Sequence, residues 1–221
     1  MLYAGPVPVT IRIAVILLAV AAGASCRTAS VDSTPQLIQP GAPGEPSREI
    51  SVEDAVDLTQ VRHTPADVRF MQGMIGHHAQ AIEMTDLLET RTASDDMRKL
   101  ALRIEVSQRD EIRMMQEWLK ARGESVPDEH AHHAHGATLM PGMLTSEEMG
   151  RLAAANGVEF DRLFLEFMIK HHGGALVMVD ELFSSPAAGQ ESEIFAFASD
   201  VEADQQMEID RMAAMLKELQ K

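Results

Sequence analysis

Two adjacent histidine pairs, His77-His78 and His171-His172, are the side chains in this sequence best suited to chemistry. Neighbouring residues on a helix point about 100° apart, so one ring of each pair can face inward while the other lies at the flank. Methionines recur around both pairs, with Met74 and Met84 beside the first and Met168 and Met178 beside the second. The chain holds 15 methionines, which either fill irregular core gaps or supply soft thioether ligands. Imidazole and thioether together suit Cu(I) or Ag(I) better than hard cations. The competing reading is a polar core that binds no metal, since a single buried histidine is more often satisfied by hydrogen bonds. Here the pair occurs twice, in one register and on one stripe with methionine. A further cluster, His130, His132, His133 and His135, falls within six residues and is followed by Met140 and Met143. It reads as a secondary metal-capture loop, or else as a solvated polar loop.

Long helices must carry these residues. The first starts at Thr64-Pro65, a cap residue with proline at the first helical position, and runs to about Thr90. The second runs from about Ser94 to Arg122 and stops at Gly123. A connector follows, with a short helix opened by the capping box Thr145-Ser146-Glu147-Glu148. The third helix spans about Val158 to Phe183 and is broken by Ser184, Ser185, Pro186 and Gly189. The fourth spans about Gln190 to Leu219, and a minor helix falls near Ser51 to Leu58.

The halves repeat. FMQGMIGHHAQAIEM, from Phe70 to Met84, aligns without a gap on FLEFMIKHHGGALVM, from Phe164 to Met178. More loosely, QRDEIRMM from Gln108 aligns on QQMEIDRM from Gln205. The unit is a helical hairpin used twice, and two hairpins bury their apolar stripes as a four-helix bundle. Glu111 and Glu208 each sit in the middle of an otherwise apolar face, where a carboxylate is costly unless paired or bound to metal. Residues equidistant from an antiparallel turn lie level. His78 therefore faces Glu111 and Met74 faces Met115, while His172 faces Glu208 and Met168 faces Met212. The carboxylates are either ligands themselves or fix the ring tautomer from behind.

Composition agrees with an all-α chain. Aromatics are only 4%, too few for a β-sandwich core. The formal net charge of −15 disfavours nucleic acid and suits cations. A single cysteine excludes an intrachain disulfide framework and a cysteine-cluster zinc site. There is no nucleophile elbow, phosphate loop or dinucleotide fingerprint.

Residues 1–26 have the layout of an export signal, with Arg12, a short apolar run from Ile13 to Ala22, then small residues. Gly23-Ala24-Ser25-Cys26 resembles a bacterial lipoprotein box, although the usual leucine is absent three residues before the cysteine. Cys26 is the expected lipidation site, which would hold the mature chain on the membrane outside the cytoplasm. Residues 27–49 read as a flexible linker. Residues 50–221 form the bundle domain, with halves at about 64–123 and 158–221 and a His/Met-rich connector at 124–157.

The paired motifs GMIGHHAQAIEM and FMIKHHGGALVM, with PGMLTSEEMGRL before the second, resemble the bacterial domain-of-unknown-function family 305 over about residues 64–219. The resemblance implies a ferritin-like four-helix bundle and an exported protein, with copper binding in some members. Carried over by position, it points to His77, His78, Met74 and Met84, and to His171, His172, Met168 and Met178.

Three functional readings follow. The first is an extracytoplasmic copper or silver protein for buffering, tolerance or delivery, with a metal-transfer protein as partner and no catalysis required. The second is a ferritin-like di-metal oxidoreductase with a His/Glu site. Against it, Glu105-x-x-Gln108 and Glu202-x-x-Gln205 carry glutamine where such bundles use histidine. The third is a metal-free helical interaction module.

Overall fold

The computed structural model describes residues 37–39, 46–57, 61–130 and 139–220. It divides into two units, residues 1–58 and 59–221. The export signal with Cys26, and the central histidines His132, His133 and His135 of the connector tract, lie outside the described residues.

In the first unit β1 (Leu37–Gln39) pairs antiparallel with β2 (Arg48–Ile50), Leu37 lying opposite Ile50. Part of the expected linker thus forms a two-stranded ribbon. The expected minor helix is α1 (Val52–Val56), with the Ser51 hydroxyl accepting from the Asp54 amide. It belongs to this first unit, so the division falls later than residue 50.

The second unit is all-α. Its elements are α2 (Pro65–Asp86), α3 (Leu88–Arg91), α4 (Asp95–Ala121), α5 (Ser146–Ala154), α6 (Gly157–Ser184) and α7 (Ser192–Leu219). Thr64 and Asp67 form a reciprocal capping box that starts α2, and Thr145 and Glu148 form another that starts α5. The first long helix is shorter than its sequence suggests. Thr85 donates its hydroxyl to the Ile82 carbonyl, a back-bond that bends helices, and the chain restarts as α3.

The four long helices pack as two antiparallel hairpins, α2 with α4 and α6 with α7, and the hairpins dock through α2 against α6. The buried apolar residues divide into two clusters. One joins Phe70, Met74, Met115 and Trp118 of the first hairpin to Met178, Leu182 and Phe197 of the second. The other joins Met84, Met97 and Ile104 to Phe160, Phe164, Met168 and Met212. Each cluster takes the start of α2 or α6 with the end of the other, so these two helices run antiparallel. Between the clusters, at mid-height of all four helices, lies a buried polar layer of His77, His78, Gln108, His171, His172, Gln205 and Glu208.

Candidate metal centre

The layer is built twice from equivalent residues. On the first hairpin His78 is fully buried, and its Nε2–H donates to Glu111 Oε2 at 2.5 Å. Ser107 donates to the other carboxylate oxygen at 2.9 Å. Burial pushes the Glu111 carboxyl up, but the hydrogen bond and charge of His78, with the Ser107 bond, outweigh it and hold the group below its ordinary value. On the second hairpin His172 Nε2 meets Glu208 Oε2 at 2.6 Å, and Arg103 lies 3.8 Å from Oε1. The His78–Glu111 and His172–Glu208 facings read from hairpin symmetry are thus observed.

A carboxylate accepts only, so it fixes the proton on Nε2 of each ring. Only the neutral ring, protonated on Nε2, would offer a lone pair at Nδ1. Neither His78 Nδ1 nor His172 Nδ1 has a hydrogen-bond partner among the described residues. An unmet buried polar atom costs about 1–3 kcal/mol, so a repeated pair calls for a physical account.

The other two rings meet across the hairpin interface. His77 and His171 lie with ring centroids 3.9 Å apart, tilted by 38°. Within each adjacent pair the centroids are 6.2 Å apart at 57°, identical in the two halves. His77 Nε2–H donates to the Pro141 carbonyl of the connector at 3.0 Å. Its equivalent, His171, has no such bond to the connector among the described residues, its ring lying instead against the His77 backbone. Burial, then the nearby His77, His172 and His78, push His171 well below the usual imidazole value, so it is neutral and keeps a free lone pair.

The six methionines named beside the histidine pairs and opposite them on the hairpins are all buried. Met74, Met115 and Met178 lie in one apolar cluster, and Met84, Met168 and Met212 in the other. They flank the histidine layer on both sides. Among the described residues no three His, Cys, Asp or Glu side chains converge as metal ligands. In the connector, His130 Nδ1 lies 3.1 Å from Glu83 of α2.

Residue spacing does not mark the connector as a structural part of the site, but the structure does. Gln80 accepts from the Leu144 amide at 2.6 Å and donates to its carbonyl at 3.0 Å. Gly142 (φ +75°) lies so close to α6 that a Cβ at Gly174 would fall 1.9 Å from the Pro141 oxygen. The available signal was the Gly173-Gly174 pair in mid-helix, which costs about 1 kcal/mol per residue relative to alanine and so needs a packing reason.

With this geometry in view, the chain belongs to the DUF305 family, described as a domain of unknown function, whose model matches residues 67–216. A crystallised DUF305 fragment from Deinococcus radiodurans is 31% identical, with a TM-score of 0.61 over 71% of this chain and 98% of that one. A DUF305 protein from Streptomyces coelicolor is 30% identical, with a TM-score of 0.60 over 70% and 93%. CopM in its Cu(I)-bound form is 25% identical, with a TM-score of 0.55 over 69% and 96%, and CopM has also been solved in Cu(II)-bound and Ag-bound forms. No curated protein matches the sequence.

Proposed function

We propose that this protein binds a soft metal ion, copper or silver, through the histidine layer and the methionines flanking it. The observation that carries the reading is the twofold-repeated carboxylate–histidine pair. In each, a carboxylate fixes the proton on Nε2 and leaves Nδ1 buried without a hydrogen-bond partner among the described residues. Metal-binding histidines are commonly oriented from behind by a carboxylate in this way. His171 adds a neutral, desolvated ring, and the methionines add donors that need no deprotonation. Likeness to CopM, solved with copper and with silver, supports the same class of ion.

The role is extracytoplasmic buffering, tolerance or delivery of the metal. It rests on the signal-like residues 1–26 and on Cys26 as the lipid anchor. His130, His132, His133 and His135 would serve as an outer capture loop, and a metal-transfer protein would receive the ion.

The test is Cu(I) titration of the chain against a competing chelator, beside a variant with His77, His78, His171 and His172 changed to Ala. Helicity is checked by circular dichroism. The expected result is a loss of affinity of at least about 100-fold in a folded variant, about 2.7 kcal/mol. Undiminished Cu(I) affinity in that variant would sink the histidine-layer reading. Fe(II)-dependent oxygen consumption by the native chain would favour the di-metal oxidoreductase instead.

A further inference from the structure

A cavity of about 630 Å³ lies beside the histidine layer, between α2, α6 and the connector. Its sulfur content follows from a local rule. Met140-Pro141-Gly142-Met143 carries proline at the second position and glycine with φ +75° at the third, and the Met143 amide donates to the Met140 carbonyl at 3.2 Å. That is a type II β-turn, which brings its first and fourth residues within about 7 Å. The turn therefore places two methionines side by side, and both line the cavity.

A third methionine comes from α6. An ideal Cβ built at Gly73 of α2 would lie 3.4 Å from Met178 Cε and 3.5 Å from both Sδ and Cε of Met140. Two thioether ends thus converge on one point above bare helix backbone, and Gly73 and Gly76 keep the space open. Met143 and Met178 are buried, whereas Met140 is 36% exposed, so the site is apolar inside with one donor reachable from solvent. Asp128 and Glu181 also line the cavity, with Arg69 the single cation among its described lining residues.

The turn cannot drift. Gln80 holds Leu144 by both backbone groups, His77 holds the Pro141 carbonyl, and Gly142 is packed against Gly174 and the Lys170 carbonyl. Rigid presentation of donors lowers the ordering cost of binding.

We infer that Met140, Met143 and Met178 form a separate thioether site in this cavity for a soft monovalent d10 cation, Cu(I) or Ag(I). Neutral sulfur donors select such ions over hard cations, and the acidic residues at the cavity favour positive charge. The site borders the histidine layer and shares Met178 with the methionines that flank it. The histidine-layer reading is tested on the histidines and this one on the loss of all-sulfur coordination, so either assignment can fail alone.

The experiment titrates the full chain with Cu(I) and with Ag(I), and counts sulfur ligands around bound Cu(I) by X-ray absorption. The first variant is Met140→Leu/Met143→Leu/Met178→Leu, which conserves volume and removes sulfur. It should lose one equivalent of metal and its all-sulfur signal, while a His78→Ala/His171→Ala/His172→Ala variant, which keeps His77 and its bond to Pro141, keeps both. The second is Gly73→Ala. The new methyl makes only ordinary contacts, so the fold should hold or gain stability from helix propensity. It occupies the space the two thioethers need to share an ion, and the site's affinity should fall at least about tenfold. Unchanged stoichiometry and sulfur coordination in the triple variant would overturn the proposal. So would full affinity in Gly73→Ala, or a native chain that binds copper through nitrogen alone.

Discussion

Asp67 and Asp161 occupy equivalent positions in the two halves, both buried, and make different bonds. Asp67 accepts from the Thr64 amide at 2.6 Å, closing the α2 capping box, and from the Gly189 amide of the α6–α7 turn at 2.7 Å. One side chain thus starts a helix of the first hairpin and ties it to the turn of the second. Asp161 Oδ1 has no hydrogen-bond partner among the described residues. Asp67→Ala removes a cap and leaves a buried amide unmet, and should cost about 2–4 kcal/mol. Asp161→Ala should cost less than about 1 kcal/mol. Urea denaturation of the two variants checks this, and equal losses would mean that the Gly189 tie contributes little. The histidines diverge in the same manner. His77 bonds the connector, and its equivalent His171 does not, because one connector cannot serve both halves.

At the scale of elements, the duplication has been adapted to hold that single connector. Gln80 and Gly174 are equivalent positions on α2 and α6. Gln80 uses its amide to grip Leu144, and Gly174 uses its missing side chain to admit the Pro141–Gly142 backbone. A methyl at Gly174 would meet backbone rather than a movable side chain. Gly174→Ala should therefore lose about 1–3 kcal/mol through overpacking, even though alanine is the better helix former. It should also free the connector, seen as faster amide exchange at Met143 and Leu144. A stabilised variant with unchanged exchange would contradict this account. The histidine motif and the capping boxes are legible in sequence because they depend on residues three or four apart. The grip of Gln80 and Gly174 on a segment more than 30 residues away in sequence is not.

The second unit as a whole is a bundle with two apolar clusters and a polar waist, with a clasp between its hairpins at one end. Arg122, at the end of α4, bonds Glu191 and Glu193 at 2.6 and 2.8 Å and lies 4.2 Å over the Trp118 ring. Trp118 donates to Glu191 in turn. Six further ion pairs among the described residues lie within one helix and are largely exposed, such as Arg98–Asp95 and Arg113–Asp110, and such pairs contribute about 0–1 kcal/mol each. Against them stands a net charge of −15, whose self-repulsion works against the compact state. Raising salt from about 0.01 M to 0.5 M shortens the Debye length well below its ~30 Å starting value and should raise the Tm by a few degrees. A falling Tm in differential scanning calorimetry would show that the ion pairs outweigh the repulsion. Among the described residues no helix is long and apolar enough to cross a membrane.

The amino-acid order by itself determined the helices, their caps, the duplication and the facing of His78 with Glu111 and His172 with Glu208. All of these follow from helical periodicity and from equal distances to a turn, which are local arithmetic. Tertiary structure alone decided that α2 docks on α6, that His77 meets His171, and that Met178 shares a cavity with the Met140–Met143 turn. It also decided that Leu37–Gln39 pairs with Arg48–Ile50 inside a segment whose composition suggests only a linker. Docking depends on shape complementarity between whole helix faces and on how one asymmetric connector fills the groove between them. Neither is written in the spacing of residues along a single helix.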